Sequence, residues 1–393
     1  MVERLVRNEK ARGSNPLTST NPLFMPNPTI PEDLRSWAEI DLGALLHNIG
    51  CVRGRLGEGA EILSVVKANA YGHGALRAAG VLAESTAIFG VANLREALEL
   101  APAARGRDIM LLSPCLPGER RAAVKGGYIV TVSSAAEAAA YAAFGRVRVN
   151  FKIDTGMGRV GCGVGEVESE ANMLAALDGV GVHSVSTHLP SADEDEQFTA
   201  GQLQWFRELR ETLRGVFPRA KFHAVNSAGV LTNGDGGLEI ARPGLILYGV
   251  SPLPAFQSEF QPVMSWKARV ALVRQMPTGS SISYGRTFVA NQPIRTAVVP
   301  VGYADGFPRQ ASGNGAGVLI RGVRCPLLGR VTMDQIIVDA TGVDGVSEGD
   351  VVTLFGRDGD AEIPVSELAA QSGTIAWDIL TGIGRRVERF YKD

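Results

Sequence analysis

The chain has 393 residues, 45% of them apolar and 20% charged, with a formal net charge of −2. That length exceeds one ordinary core, so two domains are expected. The near-neutral balance removes any electrostatic case for nucleic acid or an anionic membrane as partner.

In chain order, residues 1–35 read as a mobile tail. Pro16, Pro22, Pro26, Pro28 and Pro31 stand among Asn, Ser and Thr with few large apolar side chains, too little to offset the entropy of ordering. No apolar core follows the basic residues near its start, so a secretory signal is not expected. No later stretch approaches the roughly 18 apolar residues of a membrane span. The four cysteines, Cys51, Cys115, Cys162 and Cys325, form no CxxC pair. They fit reduced cytosolic thiols better than a disulfide framework or a zinc site.

From Ser36 onward, short apolar runs alternate with helical periodicity, the signature of repeated βα units. Strands are predicted at 61–67, 87–92, 108–113, 128–132, 146–154, 180–188 and 221–226, with a weaker one at 238–241. Helices are predicted between them at 93–101, 133–144 and 196–215. The run "SSAAE" puts a serine where a helix begins, with Glu137 close behind. About eight such repeats predict a (β/α)8 barrel over residues 36–262, with a doubly wound open sheet as the alternative. Beyond residue 262, apolar runs separated by Gly, Asp and Pro predict a β-rich domain over 263–393. One helical stretch is expected there, at 364–383.

A barrel places functional side chains at the C-terminal ends of its strands, and polar residues recur there. Lys67 closes the first strand. Lys152 and Asp154 close another, ahead of "TGMGR" and Arg159. His188, Asn226 with Ser227, and Arg242 close later ones. Taken singly, each has an ordinary reading. A strand-end lysine sends its amine to water, a lone histidine is a satisfied core residue, and Gly156 and Gly158 merely permit a turn. At successive strand ends they describe a site. A lysine amine in a closed site can condense with a carbonyl, Ser227 and late-loop N–H groups can hold a phosphate, and an arginine can face a ring nitrogen. Those are the parts that pyridoxal phosphate requires.

The motifs "AEIDLGALLHNI", "VVKANAYGHG", "KIDTGMGRVG", "NSAG", "RPGLILYG", "SYGRTF", "VPVGYADGFPR" and "LGRVTMDQ" occur in this order. Across about residues 36–390 the chain thereby resembles the bacterial alanine racemases, fold-type III pyridoxal-phosphate enzymes. The resemblance implies a barrel plus a β-rich domain in a head-to-tail cytoplasmic homodimer that exchanges L- and D-alanine, the latter for peptidoglycan precursors or as a nutrient. It implies that Lys67 carries the cofactor, that Tyr71, Ser227, Gly244 and the Leu245 backbone hold its phosphate, and that Arg242 meets its ring nitrogen. A guanidinium does not readily give up a proton, so the ring would stay a modest electron sink suited to reversible proton exchange.

By the same resemblance Lys67 is one base and Tyr284 of the second subunit is the other, with His188 and Arg242 next in the network. Arg159 and the Met333 backbone would hold the substrate carboxylate. Lys152 matches a position that is carbamylated in many relatives. Asp193, Tyr303, Arg309 and Arg330 would line the access channel. Three departures stand out. Thr332 replaces a smaller or thiol-bearing residue, Arg385 stands where some relatives have an inner-gate tyrosine, and the loop "HLPSADE" is altered. They bear on substrate breadth. The alternatives are a racemase that also accepts serine or, from another class, a fold-type III decarboxylase, which should oppose the ring nitrogen with an acid.

Overall fold

The computed structural model describes residues 29–393. Of the expected tail, residues 1–28 lie outside them. Its last residues are tied to the second domain rather than loose: Arg269 donates through Nη2 to Pro31 O and through its backbone N–H to Arg35 O.

The eight barrel strands are Glu61–Val65, Ile88–Val91, Asp108–Leu111, Ile129–Val132, Val147–Asp154, Val180–Ser186, Lys221–His223 and Ile240–Ala241. The first seven pair in parallel in chain order, and the eighth pairs in parallel with the first through Ile240–Glu61 and Ala241–Ile62. Between the seventh and eighth, backbone bonds from Glu239 N to Phe222 O and Arg242 N to Val225 O bring the ring close to closure. The doubly wound alternative is thereby excluded, since an open sheet leaves its outer strands unpaired. Strands buried on both faces account for the continuous apolar runs; all four residues of Ile129–Val132 are buried.

The loops that leave the strands end in capping side chains. Asn93, Ser134, Asp195 and Asn226 each accept a backbone N–H of the following helix, from Glu96, Glu137, Phe198 and Gly229 respectively. Each cap satisfies a donor that the helix leaves free.

One segment changes sides relative to the expectation. Ser36–Asp41 was assigned to the barrel, yet it lies in the second domain's sheet. It runs antiparallel to Met264–Arg269 and parallel to the terminal strand Glu388–Lys392. Its apolar residues Trp37, Ala38 and Ile40 are buried there. A six-residue strand has no intrinsic partner, so its pairing is decided by which apolar face it can cover. The rest of that domain is β-rich, with a second sheet of Leu272–Met276, Ile294–Val299 and Ile336–Asp339. The single helical stretch expected at 364–383 is two helices, Val365–Gln371 and Ala376–Gly382. Gly373, at φ 64°, ends the first in the left-handed conformation that helix termini favour. No helix among the described residues is long and apolar enough to cross a membrane.

Arg389 locks the end of the chain to the barrel. It donates to Gly72 O at 3.1 Å and to Ile383 O, Gly384 O and Val387 O within the second domain. Arg389→Met removes every one of these donors and should lower unfolding free energy by about 2–3 kcal/mol. Urea unfolding of the full chain measures this; an unchanged midpoint would mean that water replaces the guanidinium at no cost.

Candidate active site

A cavity of about 750 Å³ opens at the C-terminal ends of the barrel strands. Ten of the site residues expected from sequence line it: Lys67, Tyr71, Lys152, Arg159 and His188 on one set of strand ends and loops, and Asp193, Ser227, Arg242, Gly244 and Leu245 on the other. Ile375, Trp377 and Thr381 of the second domain complete its wall.

Lys67 sits two residues beyond its strand, at the head of an unusual turn. Ala68, Asn69, Ala70 and Tyr71 all have φ between 52° and 55°. Four consecutive non-glycine residues in the left-handed region cost roughly 1–2 kcal/mol each, so the surroundings must hold them. His73 donates from Nδ1 to Ala70 O at 3.0 Å and Tyr71 O at 2.9 Å. Tyr248 lies against the rings of Tyr71 and His73, and its hydroxyl donates to Val65 O. Asn69 Oδ1 accepts from Ala75 N, and Glu96 accepts from Ala68 N at 2.9 Å.

Arg242 is the hub of the opposite wall. Only 7% exposed, it donates to Thr187 O, Ala224 O and His223 Nδ1, each at 2.8 Å, and approaches His188 Nδ1 at 3.3 Å. Because His223 Nδ1 accepts, the proton of that neutral ring resides on Nε2, a buried atom with no partner among the described residues. Burial lowers Arg242 to about 10. Burial and then Arg242, Lys152, Arg159 and Lys67 hold His188 down at about 2, so it is neutral. Lys152 is held well below the usual lysine range by burial and by Arg242, against the pull of Asp154. Burial, then Arg159, lowers Lys67 too. Basic side chains, Lys67, Lys152, Arg159 and Arg242, thus outnumber the acids Asp193 and Glu194 around the cavity, and the guanidinium charges lower their basic neighbours. Such a cavity suits an anionic guest.

Ser227, Gly244 and Tyr71 meet on the remaining side. Ser227 Oγ accepts from Gly244 N at 2.9 Å, and Asn226 caps the helix that Ser227 begins. A Cβ on Gly244 would sit 2.6 Å from the Tyr71 hydroxyl, so only glycine permits the approach. Burial raises Tyr71 to about 12, which keeps it a donor.

Asp154 builds the loop that presents Arg159. Its Oδ1 accepts from Gly156, Met157 and Gly158 N–H and its Oδ2 from Arg159 N–H. Burial alone would raise this carboxyl, but the four donors bring it below its ordinary value.

Five expected residues do not line the cavity. Tyr284 is 71% exposed, and Tyr303 and Met333 are exposed beside each other on the second domain, where Tyr303 N donates to Thr332 O and Ala304 N to Met333 O. Arg309 and Arg330 are exposed on the same domain. Arg385 faces a separate recess with Glu96 and Glu99. Sequence reasoning missed Glu96, His223 and Tyr248. His223 ends the seventh strand and was within reach of the strand-end rule; Glu96 follows Asn93 at cap spacing. Trp377 carried no signal, because only the packing of the two domains brings it to the cavity.

Residues 40–252 match the family described as the alanine racemase N-terminal domain, and residues 263–391 the alanine racemase C-terminal domain. The alanine racemase of Symbiobacterium thermophilum is 40% identical over 367 residues, 91% of this chain and 97% of that protein. Among solved structures, the Bacillus anthracis alanine racemase with bound L-Ala-P aligns at a TM-score of 0.85 and 32% identity, covering 93% of this chain and 96% of that one. The Bartonella henselae alanine racemase with covalently bound pyridoxal phosphate aligns at 0.83 and 28% identity, covering 91% and 99%. A barrel with a cationic mouth, a lysine-bearing turn and matches of this extent in both domains lead to one conclusion: the chain belongs to the alanine racemase family of isomerases.

Proposed function

We infer that this isomerase interconverts L- and D-alanine with pyridoxal phosphate held at Lys67, as a cytoplasmic homodimer whose D-alanine feeds peptidoglycan precursors. The observation that carries the reading is the Lys67 amine, lowered in pKa at the mouth of a cavity whose opposite wall is a buried arginine rather than an acid. The residues present fit the cofactor. The cradle at Ser227, Gly244 and Tyr71 suits a phosphate, and the excess of cations suits a polyanion. When bound, the cofactor supplies an electron-accepting ring that stabilises the charge left at Cα as its proton departs.

The chain's own residues do the rest. Lys67 anchors the cofactor and moves a proton on one face of Cα; burial and Arg159 favour its neutral, basic form. Tyr284 of a second copy moves the proton on the other face. Its exposure on a single chain and its absence from the cavity support this assignment, since a residue of the same chain would have to line the site. His188, neutral and in reach of Arg242, would orient that tyrosine. Arg159, with the Met333 N–H of the second copy, binds the substrate carboxylate. Asp193, together with Tyr303, Arg309 and Arg330 of that copy, lines the approach. Lys152, with its depressed pKa, would carry a carbamate that steadies Arg159. The comparisons favour neither the serine-accepting alternative nor the decarboxylase.

A chiral assay of the cofactor-loaded enzyme should show fast D-alanine formation from L-alanine and little product from L-serine or L-lysine. Turnover of a larger amino acid instead would overturn the substrate. Lys67→Ala should lose the visible absorbance of the bound cofactor together with activity. Tyr284→Phe should keep the absorbance and lose α-proton exchange from one enantiomer preferentially. Equal loss from both would rule out face-specific bases.

The buried neutral histidines also set an acid limit. His188 lies at about 2 and His73, lowered by burial, at about 4, against about 6.5 when unfolded. Below pH 6.5 the unfolded chain takes up protons that the folded one refuses, so stability falls as pH drops from there toward these lower values. Above pH 6.5 these groups contribute no slope. In urea titrations between pH 7 and 5, His188→Gln should lose stability less steeply than the natural chain; parallel curves would contradict a neutral His188.

A further inference from the structure

The left-handed turn after Lys67 is the most strained segment near the cavity, and its first N–H has an unexpected partner. Glu96 belongs to the helix Leu94–Leu100, after the second barrel strand, and lies 28 residues along the chain from Ala68. Its Oε2 accepts at 2.7 Å from the N–H of Ala92, the residue just before the Asn93 cap of its own helix. Its Oε1 leaves the helix and accepts from Ala68 N at 2.9 Å. One carboxylate therefore joins the start of the Lys67 turn to the rim of the next strand.

The chain contains its own comparison. The helix Ala135–Ala142 has the same arrangement, a cap at Ser134 and an acid three residues later, at Glu137. There the carboxylate accepts from Ser133 N at 2.6 Å and so serves its own helix. A cap alone thus needs only one of the oxygens. In Glu96 the other is directed at the residue next to Lys67, at the point where the backbone enters the left-handed region. The rest of the turn is held from beyond it, by His73 at Ala70 and Tyr71 and by Arg389 at Gly72. Glu96 alone holds its N-terminal end from outside the segment through a side chain among the described residues.

We propose that Glu96 is a positioning residue for the Lys67 amine, fixing the entry of the left-handed turn so that Lys67 and Tyr71 present themselves to the same bound cofactor. The inference rests on the function proposed above and deepens it. The role is electrostatic as well as geometric. The groups that face Lys67 are Arg159 from the loop after the fifth strand, His188 from the sixth strand end and Glu96; Arg159 favours the neutral amine and Glu96 the charged one. Burial and Arg159 lower the pH at which the amine is free to condense with a carbonyl, and Glu96 opposes them.

The test uses the full-length chain, freed of cofactor and then titrated with pyridoxal phosphate, as Glu96→Ala, Glu96→Gln and the internal control Glu137→Gln. Glu96→Ala should raise backbone hydrogen exchange over residues 67–74 while the remaining barrel keeps natural protection, and should weaken cofactor capture about tenfold or more. Glu96→Gln, which keeps the size and one acceptor but not the charge, should capture the cofactor with its pH midpoint moved to lower pH. Glu137→Gln should leave both readouts as in the natural chain. Exchange rising throughout the barrel in Glu96→Ala, or equal effects of Glu96→Gln and Glu137→Gln, would overturn the proposal and reduce Glu96 to a helix cap. Capture that follows Glu96 in a chain unable to racemise alanine would support this inference and overturn the function on which it builds.

Discussion

The mouth of the barrel is organised by the burial of a guanidinium that forms no ion pair with a carboxylate among the described residues. A buried charge must be hydrogen-bonded or it costs several kcal/mol. Arg242 meets that demand with two carbonyls and a ring nitrogen taken from the ends of the sixth and seventh strands, while its own backbone closes the eighth. The strand ends are thereby held in register just where function needs precision. Burial, and after it the same charge, pushes His188, His223 and Lys152 toward their neutral forms. One interaction thus contributes to barrel closure, to the protonation state of the wall and to the attraction for an anion.

Opposite Arg242, the constraint is strain rather than charge. A run of alanines, an asparagine and a tyrosine would not adopt a left-handed turn in isolation. The turn persists because a carboxylate from the helix Leu94–Leu100 takes one of its N–H groups, a buried histidine two of its carbonyls and an arginine from the terminal strand a third. Strain held in this way is rigid, which suits a lysine whose amine must meet a carbonyl in one geometry. The dependence on Arg389 also means that the β-rich domain supports the turn from within the same chain.

Much of this was legible in the amino-acid sequence. Apolar runs buried on both faces kept their pattern, so all eight barrel strands were readable, and the rule that function gathers at strand ends led to Lys67, Lys152, His188, Ser227 and Arg242. The motif resemblance named the family that the comparisons then established. The misassignments have physical causes. Ser36–Asp41 fell inside the stretch expected to form the barrel, and nothing local says which sheet so short a strand will join. Residues 364–383 read as one helix because the apolar period continues across Ser372, Gly373 and Thr374. Glu96 escaped notice because its partner lies in another βα unit.

By itself the sequence determined the element types, the barrel period and the chemistry available at each strand end, since burial patterns and side-chain types are local properties. Only the tertiary structure decided the sheet of the first strand, the left-handed path after Lys67, the neutrality of His188 and the exposure of Tyr284. Each of these depends on groups far apart in the chain: a pKa on which charges share a buried volume, a strained turn on who accepts its hydrogen bonds. The exposure of a side chain likewise depends on what the rest of the fold packs around it, which no local pattern encodes.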